Sequence, residues 1–568
     1  MNTAATRPFA WERSYPPGVH WDAPIQSGTI PALLDRAAAR FGDGTVIEYF
    51  DRHISYRELA ALTVRAAAGL AGLGVGRDTP VALYLPNTPV HPIAFFGALR
   101  LGARIVHLSP LDAERELVHK LHDSGARLLI TTNLPGLLPR ALKLAADGHV
   151  ERVIIGDEKA WNFPAPLADF TESDVHIPFD RLLAVYDEIE LPAVDAADIA
   201  LLQYTGGTTG VPKGAILTHG NLTAAVSIYD NWNTPQRAPI PGERVICVLP
   251  LFHIYGLSAV FLRGIDCGSE MLLRPRFDAE SILRDIEVRR AEYFPGVPTM
   301  WIALMSLPDI EKRDISSLKV CSSGGAPMPM EVAQRFERMT GRTMLGGWGM
   351  TETSPSGTGL PLQGATKPGS IGLVLPGIEM GIVALDDPRR ALAPGEIGEM
   401  RIKGPNVFKG YWNRSEETAA AFADGFFLTG DIGYMDEDGY FFLVDRKKDM
   451  IISGGFNVYP SVIESAIYEH PDVEEVIVIG VPDTYRGEAA KAFIKLRRGT
   501  ATLGLDGLSA FLADKIGRHE IPAALEIRDS LPRTPVGKLS KRELIEEERK
   551  KHDEAPAPAP ETLKRARS

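Results

Sequence analysis

The segment Tyr204-Thr205-Gly206-Gly207-Thr208-Thr209-Gly210-Val211-Pro212-Lys213-Gly214 packs four glycines, three threonines and one lysine into a short stretch. Glycines let a backbone come close to a ligand and turn its N–H groups into an anion-binding nest. The hydroxyls and the lysine add donors, a set suited to a polyphosphate. It is not a Walker A loop, because no Gly-Lys-Ser/Thr stands at the required spacing. By itself it also reads as a flexible turn between sheet elements. A second segment, Gly346-Gly347-Trp348-Gly349-Met350-Thr351-Glu352-Thr353, sets an aromatic among glycines. Its ring could lie flat on a purine, with the glycines clearing the approach. Thr351 could donate to a phosphate, and Glu352 could hold Mg²⁺, which favours a carboxylate with phosphate oxygens and water. The plainer reading is a strand-to-turn corner around a core Trp.

Two further segments are weaker alone. Leu428-Thr429-Gly430-Asp431, followed by Asp445-Arg446, exposes an acid suited to ribose hydroxyls, or is simply a hairpin. Arg533-Thr534-Pro535-Val536-Gly537-Lys538 presents a lysine after a Pro/Gly turn, a place where lysines usually face solvent.

These segments need rigid elements to hold them. Thr45 to Phe50 reads as a strand, and Ser55 with Glu58 as a capping box. Leu59, Leu62, Ala66, Leu70 and Leu73 then follow at helical spacing. Strands at Val81 to Leu85 and Arg104 to Leu108 flank a helix running to Leu101. Strand–helix–strand with short connections means parallel sheets and right-handed crossovers. The pattern returns at Val245 to Leu249 and Met271 to Leu273. From 365 to 445, dense Gly/Pro punctuation indicates a meander or small barrel of antiparallel strands. Beyond Asp449, a helix near Pro460 and a strand at Glu475 to Gly480 indicate a compact α+β unit. From Glu554 the Ala-Pro alternation reads as a solvated tail.

At 568 residues, the chain has room for about three or four domain-sized units. Hydrophobic residues make up 45% and charged residues 24%, ordinary values for a cored globular protein. A net charge of −12 argues against non-specific binding to nucleic acid or anionic membranes. Cys247, Cys267 and Cys321 are far apart and not in metal-ligand spacing, so they read as buried small side chains in a reducing compartment. No apolar run reaches membrane-spanning length, and the first residues lack the apolar region of a signal peptide. A cytoplasmic enzyme is expected.

Taken together, the segments closely resemble the AMP-forming acyl-CoA synthetases, whose adenylating superfamily includes firefly luciferase and peptide-synthetase adenylation domains. The match runs in order through Tyr204–Gly214, Gly324-Gly325-Ala326-Pro327, Trp348–Glu352, Thr429–Asp431, Asp445–Pro460 and Gly537-Lys538. It looks most like the bacterial medium- and long-chain fatty acyl-CoA ligases.

The resemblance implies an α/β fold: two doubly wound sheets and a small distorted β-barrel, then a small mobile α+β domain. It divides the chain into an adenylation domain at 1–445, a hinge at 446–448, a lid domain at 449–550 and a tail at 551–568. It also implies roles. Thr205, Gly206, Gly207, Thr208, Thr209, Gly210 and Lys213 would wrap the ATP phosphates. Gly325, Ala326 and Gly347 would line the adenine, with Trp348 stacking where the family more often has Tyr. Thr351 would touch the α-phosphate, Thr205 and Glu352 would serve the Mg²⁺, and Asp431 and Arg446 would bind ribose. Lys448 matches the hinge and contacts nucleotide, and Lys538 matches the lysine needed for adenylation.

The mechanism implied needs no general base, since a carboxylate is already ionised at neutral pH. Its attack on the α-phosphorus of ATP is a matter of positioning and charge neutralisation. CoA's thiol then attacks the acyl-adenylate and AMP leaves. Lys538 must withdraw for that step, hence a swinging lid, with Gly454, Gly455 and Phe456 bordering the pantetheine channel. His253, Tyr255 and Gly256 look like the family's acyl-pocket segment, joined by Val297 and Gly349. His253 reads equally as a substrate neighbour or a satisfied core histidine.

Apolar residues dominate that wall, which suits an alkyl chain. A medium- or long-chain fatty acid comes first, a pimelate-like dicarboxylic acid second and an aryl acid third. Loading of a carrier protein, a luciferase-like oxygenase and a non-catalytic sensor complete the alternatives. The context of Lys538 resembles that of family members acetylated on this lysine, making a lysine acetyltransferase and deacetylase candidate partners. A homodimer stays open.

Overall fold

The computed structural model describes residues 7–185, 189–205, 211–326, 328, 330–453, 456–483, 486–497, 499–500, 503–533 and 539–554. They fall into two compact units. The first runs to Thr429 and adds Gly433–Leu443, whereas the second takes Gly430–Ile432 and continues from Val444.

The first unit contains two large sheets. In the seven-stranded sheet the order is His176–Pro178, Arg152–Gly156, Leu128–Thr132, Pro80–Tyr84, Arg104–Leu108, Ile199–Thr205 and Lys213–Thr218. Every pair is parallel except the last, where Ile199–Thr205 doubles back on Lys213–Thr218. In the nine-stranded sheet a parallel centre joins Leu345–Trp348, Val320–Ser323, Tyr293–Gly296, Arg244–Cys247, Glu270–Leu273 and Thr45–Tyr49. Antiparallel strands close both of its edges.

Alternation along a strand sends neighbouring side chains to opposite faces. Val81 and Leu83 therefore enter one core while Ala82 and Tyr84 enter another. Val245 and Cys247 share the first of these cores, and Ile246 enters a third. The two sheets thus share one apolar layer and each buries its other face under helices, which is double winding.

Local signals fold as their chemistry dictates. Ser55 caps the helix Tyr56–Gly72 by accepting from the Glu58 N–H at 3.1 Å. The Glu58 carboxylate pairs instead with Arg52 at 2.5 Å, because Arg52 lies in the adjoining strand. The strand at Arg104–Leu108 has the expected bounds, and the helix before it is Val90–Arg100. All three cysteines are buried and unpaired with one another.

The Gly/Pro-rich region forms a small sheet ordered Glu379–Val383, Gly398–Lys403, Phe426–Met435 and Phe422–Ala423, with Phe441–Arg446 on Phe426–Met435. The second unit is α+β. Val473–Asp483 and Gly487–Leu496 form a long antiparallel pair, flanked by Ile451–Ser453, Phe456–Val458 and Ala524–Ile527. Helix Pro460–Tyr468 covers it through Ile463 and Ile467. Among the described residues no helix is long and apolar enough to cross a membrane.

Candidate active site

In parallel α/β sheets, ligands bind beyond the carboxyl ends of the strands. Four strand ends of the nine-stranded sheet carry the singled-out segments. Cys247 leads to Leu251–Gly256, Gly296 to Val297, Ser323 to Gly324–Ala326, and Trp348 to Thr351–Glu352. Residues far apart in sequence are thereby brought to one end of one sheet.

Thr205 ends its strand and pairs with Lys213, the first residue of the antiparallel strand that follows the Gly/Thr segment in sequence. Gly206, Gly207, Thr208, Thr209 and Gly210 lie outside the described residues. Lys213 is ion-paired with Glu417 and stands 5.5 Å from the centre of the Tyr411 ring. A phosphate using Lys213 must therefore exchange with the Glu417 carboxylate.

Glu352 sits in the short turn Thr351–Thr353, 5% exposed. Its Oε1 accepts from the Tyr411 hydroxyl at 2.9 Å, and its carbonyl accepts from the Phe408 N–H at 2.8 Å. The segment carrying Phe408 and Tyr411 also pairs with strand Lys213–Thr218: Ile216 donates to Gly410 and Trp412 donates to Gly214. One stretch of backbone thus ties the buried carboxylate to the strand that closes the Gly/Thr loop. Burial, reinforced by the Glu352 charge, pushes the Tyr411 hydroxyl well above its ordinary pKa, so it stays a donor. A carboxylate oxygen and the Thr205 hydroxyl are hard donors that fit Mg²⁺ together with phosphate and water.

Tyr411 was not among the sequence candidates, nor was Asn406. Asn406 is fully buried and its Nδ2 donates to the Thr353 and Ser356 carbonyls at 2.7 Å each, locking the turn after Glu352. Ser354 adds a bond from its hydroxyl to the Asn406 carbonyl. The only sequence signal for either was the turn chemistry of Gly404-Pro405 and Gly410. Tyr411→Phe should lower the rate of pyrophosphate release about tenfold, the scale of a hydrogen bond to a charged group. It should also raise the Mg²⁺ concentration needed for half-maximal rate; an unchanged Mg²⁺ titration would remove Tyr411 from this role.

Gly347 and Gly349 are held to glycine by packing as well, because backbone occupies the space a side chain would fill. A Cβ at Gly349 would lie 1.2 Å from the Pro355 carbonyl oxygen, and one at Gly347 would lie 2.4 Å from that of Thr358. Gly256 likewise faces the Pro250 carbonyl, 2.3 Å from where its Cβ would stand. Gly349→Ala should therefore cost about 3 kcal/mol or more through overpacking, read by denaturant unfolding. Gly28→Ala, with open space at that point, is the control, and equal stability of the two would refute the packing cause. Trp348 is 8% exposed within the apolar core, with Gly357 packed against its ring. That burial is what the core-Trp reading expects.

The Tyr255 ring lies over Gly324, where a Cβ would be 2.8 Å from it, so the segment Leu251–Gly256 meets the segment that begins at Gly324. Gly325 adopts φ of 76° there, and Ala326 is half-buried. His253 is half-buried and its Nδ1 accepts from the Tyr255 N–H at 3.2 Å. Val297 is buried and precedes helix Pro298–Met305. Tyr255 begins a π-helical run to Leu262, a form often found at functional sites.

In the second unit Arg446 Nε pairs with Asp431 at 2.9 Å, the acid buried and the guanidinium half-exposed. Lys448 is exposed in the turn that follows, closed by an Asp449 N–H to Arg446 carbonyl bond. Phe456 is 59% exposed and packs against His519, ring centres 4.9 Å apart. Gly454, Gly455 and Lys538 lie outside the described residues.

A buried carboxylate and several loops gathered at the carboxyl ends of parallel strands are the arrangement of an α/β enzyme that binds its ligand there. Residues 34–412 match the AMP-binding enzyme family and residues 462–538 match the AMP-binding enzyme C-terminal domain, so the chain belongs to that family. It is 39% identical to a long-chain-fatty-acid–CoA ligase of Bacillus subtilis (strain 168), over 95% of this chain and 98% of that protein. With the enzyme of the same description from Salmonella typhimurium the identity is 36%, over 96% and 99%. Among solved structures, ATP-bound MatB from Rhodopseudomonas palustris superposes with a TM-score of 0.81 at 30% identity, covering 91% of this chain and 98% of that one.

Proposed function

We propose that the protein is an AMP-forming acyl-CoA ligase that activates a medium- or long-chain fatty acid as its adenylate and passes the acyl group to CoA. The observation that carries this reading is the tie between Glu352 and the strand closing the Gly/Thr loop. It lies in a chain similar over nearly its whole length to long-chain-fatty-acid–CoA ligases.

The chain's own residues account for the first half-reaction. An acid bound beyond the strand ends would attack the α-phosphorus, and the Gly/Thr loop with Lys213 would hold the departing phosphates. Glu352, oriented by Tyr411 and locked by Asn406, would hold Mg²⁺ with help from the Thr205 hydroxyl. The ion, when bound, neutralises phosphate charge in the transition state. Thr351 stands beside it as a donor to the α-phosphate. Asp431 and Arg446 are the ribose contacts, and Lys538 supplies positive charge at the reacting phosphate. For the second half-reaction Lys448 is the hinge, and Gly454, Gly455 and Phe456 border the thiol's path. The exposed Phe456 ring is suited to that apolar channel. Acetylation of Lys538 would remove its charge and switch off the first step. The acidic, uniformly cored chain suits work in the cytoplasm.

The test is pyrophosphate and AMP release with short, medium and long monoacids, dicarboxylic acids and benzoate, each with and without CoA. Turnover that depends on CoA and peaks on medium or long monoacids is expected. A peak on dicarboxylic or aryl acids would overturn the substrate, and adenylation indifferent to CoA would overturn the acceptor.

A further inference from the structure

Strand Ile199–Thr205 belongs to the seven-stranded sheet, while Leu251–Gly256 follows a strand of the nine-stranded sheet. A buried side chain joins them. Gln203, 6% exposed, donates from Nε2 to the Phe252 carbonyl at 2.9 Å, and its Oε1 lies 3.0 Å from His107 Nδ1. An amide oxygen only accepts, so His107 must carry its proton on Nδ1. His107 is 1% exposed on the neighbouring strand, against the rings of His91 and Phe95. Burial lowers its pKa to about 4, keeping it neutral, and the Gln203 oxygen holds it in that tautomer.

A second buried amide grips the same chain just upstream. Asn87 Nδ2 donates to the Cys247 and Leu249 carbonyls at 3.1 and 2.9 Å, and its Oδ1 accepts from the Leu251 N–H at 2.8 Å. The approach to His253 and Tyr255 is therefore held, residue after residue, by side chains from elements of the other sheet. Gln203 also shares a strand face with Thr205, two residues on. The face that carries the Thr205 hydroxyl thus carries the amide that fixes Phe252.

We propose that Gln203, oriented by His107, is a positioning residue that sets where the acyl-pocket segment stands relative to the phosphate site, and so governs fatty-acid recognition. This rests on the acyl-CoA ligase reading. Strand Ile199–Thr205 is hydrogen-bonded on both sides, so losing the amide leaves the phosphate side in place. The Phe252 carbonyl, left buried without its donor, instead pulls Leu251–Gly256 toward another partner.

The experiment compares Gln203→Met, His107→Leu, His107→Asn and the double variant Gln203→Met/His107→Leu. KM for a long-chain acid, KM for ATP and thermal stability are measured for each. Gln203→Met, of similar length without the amide, should raise the fatty-acid KM about tenfold, the scale of one buried hydrogen bond. KM for ATP should stay within about twofold on the same scale. His107→Leu should move in the same direction, whereas His107→Asn, which keeps a donor near the place of Nδ1, should restore the wild-type value. The double variant should be no worse than Gln203→Met, because the two act through one network. Equal changes in both KM values, additive effects, or failure of His107→Asn to restore binding would overturn the proposal. If Gln203→Met does not fold, the two His107 variants decide alone. A wild-type enzyme inactive on every fatty acid would sink the ligase reading, whereas an active wild type with unmoved variants sinks only this inference.

Discussion

Glu352→Gln is expected to leave the fold intact and to slow pyrophosphate release by about a thousandfold, the scale of losing a main electrostatic stabiliser of a transition state. Its amide oxygen can still accept from Tyr411, and the backbone bond from Phe408 does not involve the side chain. What disappears is the negative charge buried at the strand ends. A neutral amide holds Mg²⁺ poorly, since the ion favours carboxylates among protein ligands. Transfer to CoA from supplied acyl-adenylate should change little, because no pyrophosphate leaves in that step. Unfolding measured in parallel separates this from destabilisation. Pyrophosphate release at the wild-type rate would show that Glu352 is a packing residue.

Lys538→Gln should separate the half-reactions just as sharply, with adenylation falling by about a hundredfold or more and thioester formation from supplied acyl-adenylate largely spared. The ends of its loop are well anchored in the second unit. Arg533 pairs with Leu539 across an antiparallel bridge and with the Glu475 carboxylate, and the Ser540 N–H donates to the Pro532 carbonyl at 2.8 Å. Lys541 Nζ reaches the half-buried Glu464 carboxylate at 3.3 Å. None of these contacts uses the side chain at 538, so the substitution removes a charge and leaves them in place. It also copies acetyl-lysine, so the same variant tests the regulatory reading. Equal loss in both steps would mean that Lys538 serves the fold or both reactions, and normal adenylation would remove it from the mechanism and end the acetylation idea.

Much of this protein is determined by local chemistry that a sequence displays directly. Periodicity at Leu59 to Leu73 and the apolar run at Arg104–Leu108 specify a helix and a strand, because one element buries a stripe and the other buries both faces. The Gly/Thr loop and the Trp348–Glu352 segment, each open to a purely structural reading alone, point to nucleotide chemistry once they occur in order with the other segments. Tertiary structure decided the rest. Tyr411 and Asn406 act on Glu352 only because a later segment folds back against strand Lys213–Thr218, and Gln203 reaches Phe252 only because two sheets share one core. The glycines at 347 and 349 do not announce their surroundings in the sequence, and only the folded chain shows that the Thr358 and Pro355 oxygens leave no room for a side chain there. Periodicity and turn chemistry act over a few residues, so a sequence carries them openly. Hydrogen bonds between segments tens or hundreds of residues apart leave no spacing to read, and they exist only once the chain has packed.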